Sequence, residues 1–315
     1  MPLSNFDRYF LHLPPLDRKN DFDEFWKHAL SEIKKTPLET ELKKNAKKTT
    51  HRFTAYDVSY RGFTKALING ELLIPRAKMK PKVIVHINDY NKTQKYPQQI
   101  LDDTVAHFFI ILRGHNDLVV VQKSDEERTT PGYMIENILD RDTYYVKAVY
   151  IDVCRSIDML RLVPEINCSS IAFIGRGFGA AAALFCAANS DRVSALALET
   201  PSFCYLPMSQ NLSTSDASNE INEFVATVKN KKKQIKENLT YFDALNFSDR
   251  ITCPVFATVG FKDTLSPPEC VFALFNHLLC EKVIEVYPEE GNSAGGNEQY
   301  RKSVSWLADR IHRIS

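Results

Sequence analysis

The chain has 315 residues, 44% of them hydrophobic and 25% charged, which is ordinary for a soluble globular protein. Its 40 basic side chains against 39 acidic ones leave a formal charge of +1, a balance that argues against a nucleic-acid or polyanion partner. No stretch of about 18 apolar residues is available to span a membrane, and the opening MPLSNFDRYF lacks the basic start and apolar run of a secretory signal. The expectation is a cytoplasmic protein with no membrane partner.

The seven cysteines, Cys154, Cys168, Cys186, Cys204, Cys253, Cys270 and Cys280, form no CxxC pair and have no histidine at metal-ligand spacing. They read as small buried apolar residues, and neither a metal nor a cofactor is expected.

In chain order, residues 1–50 read as an extension that packs on the body. A proline-containing lead (Leu13, Pro14, Pro15) precedes a helix from Asp21 to about Lys35, whose Phe22, Phe25, Trp26, Leu30 and Ile33 fall near helical spacing. Residues 51–315 read as one domain. Phe53–Tyr60 and Ala66–Pro75 suit an antiparallel hairpin. The short apolar runs Val83–Ile87, His107–Leu112, Ser170–Ile174, Val193–Leu198, Pro254–Val259 and Val283–Tyr287 suit strands buried on both faces. Helical stretches over Thr143–Leu162, Phe178–Ala188, Pro267–Leu279 and Glu298–Ile311 alternate with them. Such alternation predicts an α/β fold with a mostly parallel sheet covered by helices on both faces. Residues 113–141 form a long irregular stretch, and a helical insertion near 202–248 carries the basic run Lys229–Lys236, read as a solvated helix face.

The stretch IAFIGRGFGAAAAL packs a strand, a very tight turn and a helix together. In GxSxG elbows the glycines let a strained turn raise one nucleophilic side chain above the sheet. Here Gly175 and Gly179 hold the glycine places and Gly177 stands between them, offering no atom for attack. A competing match is GxGxxG/A through Gly175, Gly177 and Ala180, with Glu199 at the end of the next strand as a ribose-binding carboxylate. On that reading the chain binds a dinucleotide.

Motifs along nearly the whole length resemble the acetyl xylan esterase and cephalosporin C deacetylase family of α/β-hydrolases. They are DFDEFWKHAL (21–30), YDVSYRGF (56–63), INGELLIP (68–75), NDYN (88–91), RGHND (113–117), the run from Gly132 to Leu160, ETPSFC (199–204) and GFKDTLSPPECVFALFN (260–276). NDYN looks like the family's HGYN, whose tyrosine main-chain N–H helps form the oxyanion hole; Tyr90 takes that place. RGHND resembles the family's RGQ, with His115 after Arg113 and Gly114 in place of glutamine. Asp263 stands at the family's catalytic aspartate, and Asn292, in EEGNSAGG, at its histidine. Phe178 replaces the glutamine of GxSQG but leaves a backbone N–H for an oxyanion.

The resemblance therefore implies an esterase fold with the nucleophile and base positions substituted, one that acts by binding. A working carbohydrate or small-ester deacetylase with relocated groups is the alternative. Ser202 and Ser266, near the C-terminal edge of the sheet, are the candidates for a relocated nucleophile; His277 and His312, beyond Asp263, are those for the base, and neither histidine fits the turn after the last strand. Asp263 also has a purely structural use, as a cap or acceptor for loop amides, and Arg113 one as a bidentate ion pair. An acetylated sugar or other small molecule is the expected ligand, and the resemblance alone implies a homo-oligomer.

Overall fold

A computed structural model describes residues 5–76, 79–92, 98–115 and 132–313. Among the described residues nine strands form one sheet in the order β1-β2-β3-β5-β4-β6-β7-β8-β9. They are β1 Glu41–Lys44, β2 Phe53–Arg61, β3 Leu67–Pro75, β4 Val83–Ile87, β5 Ala106–Ile111, β6 Ile171–Arg176, β7 Val193–Glu199, β8 Val255–Gly260 and β9 Lys282–Tyr287. The pairings β1–β2, β2–β3 and β3–β5 are antiparallel, and every pairing from β5 through β4 to β9 is parallel. The expected architecture is present, with one addition: β1 brings the N-terminal segment into the sheet. Its ELKK residues are all exposed, so no burial pattern announced it.

The helices are α1 Asn5–Phe10, α2 Phe22–Lys34, α3 Tyr145–Leu160, α4 Phe178–Asn189, α5 Leu206–Leu212, α6 Asp216–Thr227, α7 Lys232–Leu239, α8 Pro268–His277 and α9 Gly296–Arg313. One core layer joins Trp26 of α2, Tyr150 of α3, and Phe178 and Phe185 of α4 to Phe173 of the sheet. On the other layer Tyr300, Val304, Leu307 and Ile311 of α9 cover Ile84, Ala172, Ile174 and Ala197. The alanine-rich α4 is buried through Ala187, because small side chains let it lie close between α3 and the sheet.

The segment 206–239 carries α5, α6 and α7, and the loop after them meets the N-terminal helix directly. Trp26 donates its indole N–H to the Tyr241 carbonyl at 3.0 Å, and Phe22 and Phe25 pack on Tyr241, Phe242 and Phe247. Lys231, Lys232, Lys233 and Lys236 are exposed, as a solvated face requires.

Candidate active site

Strand β6 ends at Arg176 and α4 begins at Phe178, so Gly177 alone makes the turn, at φ 54° and ψ −122°. This is tighter than the Gly175-to-Gly179 turn expected, and side-chain-bearing residues reach such a backbone only with strain. A Cβ on Gly179 would fall 2.4 Å from the Asn88 carbonyl oxygen and 2.5 Å from that of Ile87. The glycine thus lets the start of α4 press against the end of β4, which carries the NDYN loop onto the turn.

Asp89 of that loop fills the place above Gly177. Its Oδ1 accepts hydrogen bonds from the Tyr90 N–H at 2.8 Å and the Phe178 N–H at 2.7 Å. A Cβ built on Gly177 would lie 2.2 Å from the Asp89 carboxyl carbon and Oδ1, and 2.4 Å from Oδ2. The expectation of a free Phe178 amide is corrected here: both amides already hold a carboxylate oxygen. Burial of the carboxyl group pushes the Asp89 pKa up to about 6, opposed by the two amides and by Arg176.

Tyr90 is buried, and its hydroxyl donates to the Glu220 carboxylate, whose oxygens lie at 2.9 and 2.8 Å. Glu220, from α6, also accepts the Gly132 and Met134 N–H groups, each at 3.0 Å. The Tyr90 ring meets Phe178 and His115 edge-on. His115 Nε2 accepts the Asn91 N–H at 3.0 Å, so Nδ1 carries the proton and donates to the Arg113 carbonyl at 3.0 Å. Burial lowers the His115 pKa, in keeping with this neutral ring. Arg113 binds Asp152 in bidentate fashion, at 2.7 and 2.9 Å, and donates to the Phe63 carbonyl. The Gly114 carbonyl accepts the Tyr133 hydroxyl at 3.0 Å. Asn116 and Asp117 of RGHND, and the irregular stretch through residue 131, lie outside the described residues.

Asp263 and Asn292 meet at the far side of the turn. Asp263 Oδ1 accepts the Leu265 and Ser266 amides at 2.8 and 3.0 Å, and its Oδ2 lies 3.5 Å from Asn292 Nδ2. Burial raises the Asp263 pKa while the loop amides oppose the rise. The Asn292 amide also reaches Thr200 Oγ1 at 3.4 Å. An amide nitrogen has no lone pair to take a hydroxyl proton, so this contact orients a group that is not a base. Arg176 ties the Asn292 turn to the elbow by donating to the Asn292 carbonyl.

Of the candidates for relocation, the Ser266 hydroxyl, His277 and His312 are held by other partners. Ser266 donates its hydroxyl to the Thr200 carbonyl at 2.7 Å, and the Ser202 amide donates to the Gly177 carbonyl at 3.1 Å. His277 Nε2 lies 2.6 Å from the Pro14 carbonyl. His312 meets Thr104, just before β5, at the opposite end of the strands from the elbow. Glu199, the acid of the dinucleotide pattern, is buried; it accepts the Ser303 hydroxyl at 3.0 Å and faces Arg176. It offers no outward carboxylate to a ribose.

Asp89 and Glu220 escaped the sequence reading. For Asp89 the signal was present, since NDYN places an acid where HGYN has glycine. For Glu220, in an insertion without a motif, there was none. Among the described residues no group of three or more His, Cys, Asp or Glu side chains could hold a metal, and no helix is long and apolar enough to cross a membrane.

Comparison with known proteins bears on the family and the fold. An acetyl xylan esterase family model matches residues 1–310. The acetyl esterase Axe7A of Xylanibacter ruminicola is 28% identical over 313 residues, covering 95% of this chain and 69% of that protein. The acetyl xylan esterase from Paenibacillus sp. R4 superposes with a TM-score of 0.86 at 26% identity, over 99% of this chain and 100% of that one. Acetyl xylan esterase 1 from Thermoanaerobacterium sp. JW/SL YS485 shares the fold, with a TM-score of 0.83 at 22% identity over 98% and 99% of the two chains. These matches favour an esterase-like chain over a dinucleotide binder: the protein belongs to the acetyl xylan esterase family and has its α/β-hydrolase fold.

Proposed function

We propose that this chain is a non-hydrolytic member of the acetyl xylan esterase family that acts by binding, with acetylated sugars as its ligand class. The observation that carries the reading is the joint replacement at the elbow: Gly177 bears no nucleophile, and Asn292 rather than a histidine faces Asp263. In a serine hydrolase the base must take the hydroxyl proton and the acid must hold the base as the right tautomer. Asp263 has neither partner to serve. Loss of the serine or the histidine alone costs on the order of 10⁶ in turnover, and losing both costs about the same.

Purified protein is expected to release no acetate from acetylated xylan, and no p-nitrophenol from p-nitrophenyl acetate, above an albumin background. Covalent labelling by a serine-directed phosphonate, or a burst of product, would overturn the reading. The alternative of a deacetylase with relocated groups draws its support from relatives named as esterases. It requires saturable turnover by the unaltered chain.

A further inference from the structure

We propose that Asp89 is a built-in occupant of the acyl-oxygen site, so that the chain's own carboxylate closes the elbow to esters. This rests on the non-hydrolytic reading and names what shuts the site. An oxyanion hole is a pair of preorganised donors converging on one developing negative oxygen. The Tyr90 and Phe178 amides converge on Asp89 Oδ1 at 2.8 and 2.7 Å. The Phe178 bond spans 89 residues and is no local turn contact, and it places the carboxylate at the first turn of the 12-residue α4, where the helix dipole favours an anion.

The same carboxylate also occupies the volume of the missing nucleophile. Its carboxyl carbon and both oxygens lie within 2.4 Å of a Cβ placed on Gly177. One side chain therefore fills both the oxygen hole and the room of the attacking group, and it fits only because residue 177 has no side chain. Asp89 and Gly177 form a dependent pair. Serine at 177 cannot coexist with the Asp89 carboxylate in its present seat.

The first test compares melting temperatures in sodium acetate and in sodium chloride at matched ionic strength. Asp89→Gly leaves two amides without their oxygen, so the variant should melt lower by several degrees and recover saturably with acetate. The unaltered protein and Asp89→Asn, whose amide oxygen can still accept both bonds, should show no acetate-specific shift. Equal acetate shifts in unaltered protein and Asp89→Gly would overturn the proposal.

The second test needs no ligand and holds even for weakly folded variants. Gly177→Ser is introduced into the unaltered chain and into Asp89→Gly; backbone strain is common to both, so the collision appears as a larger melting-temperature loss when Asp89 is present. Equal losses refute the pairing. Adding Asn292→His to both allows an activity readout, with p-nitrophenyl acetate turnover expected at least about 100-fold higher when Asp89 is also glycine, the scale of one oxyanion-hole donor. Ester turnover by the unaltered protein would sink the non-hydrolytic reading, while the acetate comparison still decides the role of Asp89.

Discussion

The guanidinium of Arg176 lies 3.8 Å from the carboxylate of Glu199, a residue otherwise enclosed between β7 and α9. Burial pushes the Glu199 pKa up to about 7 despite this cation and the Ser303 hydroxyl. An acid whose pKa is raised on folding favours the native state most when protonated in both states, below about 4.5. That contribution is lost as pH rises toward 7.

Glu199→Gln should therefore gain stability relative to the unaltered protein between about pH 4.5 and 7, by at most on the order of 3 kcal/mol, and the difference should level off above pH 8. Denaturant melts across that range read it directly. A difference that does not change with pH would refute the assignment.

Glu220 holds three donors at once, from Tyr90, Gly132 and Met134. Glu220→Ala leaves them without their acceptor and should cost about 2–3 kcal/mol, while Glu220→Gln, which keeps one carbonyl oxygen, should cost about half as much. Urea unfolding separates the two; a negligible cost for Glu220→Ala would show that the acceptor is dispensable.

The Arg113–Asp152 pair is buried on the acid's side, with Asp152 side-chain exposure of only 3%. Arg113→Ala strands that carboxylate and should cost about 3–5 kcal/mol. Arg113→Lys should recover little, because one ammonium cannot reproduce the two-pronged contact. Full recovery by lysine in thermal unfolding would count against this account.

Cys154 of α3 and Cys186 of α4 place their Sγ atoms 2.9 Å apart. A disulfide oxidant such as oxidised glutathione should convert the pair to a bond with loss of two protons and two electrons, yielding two reduced glutathiones and one linked tryptic pair by mass spectrometry. Burial raises the Cys186 thiol pKa, so the reaction should be slow at neutral pH. Closing 32 residues should stabilise the fold by about 3–4 kcal/mol. Absence of the linked peptide after full oxidation would refute it.

The parallel strands were legible because burial on both faces leaves an apolar run, and Val83–Ile87 matches β4 at both ends. The exposed edge strand β1 was not legible, since its pairing with β2 is carried by main-chain groups that any side chain can supply. At the elbow, the missing hydroxyl at Gly177 could be read from one motif. Its replacement could not be read in the same way. The acid in NDYN was visible as such, but its seat at Gly177 depends on a tertiary approach between two loops, which a local pattern does not record.

The contact between Trp26 and the Tyr241 carbonyl joins residues 215 positions apart. During synthesis α2 precedes everything that covers it: Trp26 packs on Tyr150 of α3 and Phe185 of α4 as well as on Phe242 and Phe247 of the insertion. The last of that cover, around Tyr241, comes from a segment 215 positions beyond Trp26, and until it is made part of the face of Phe22, Phe25 and Trp26 stays open to wrong partners.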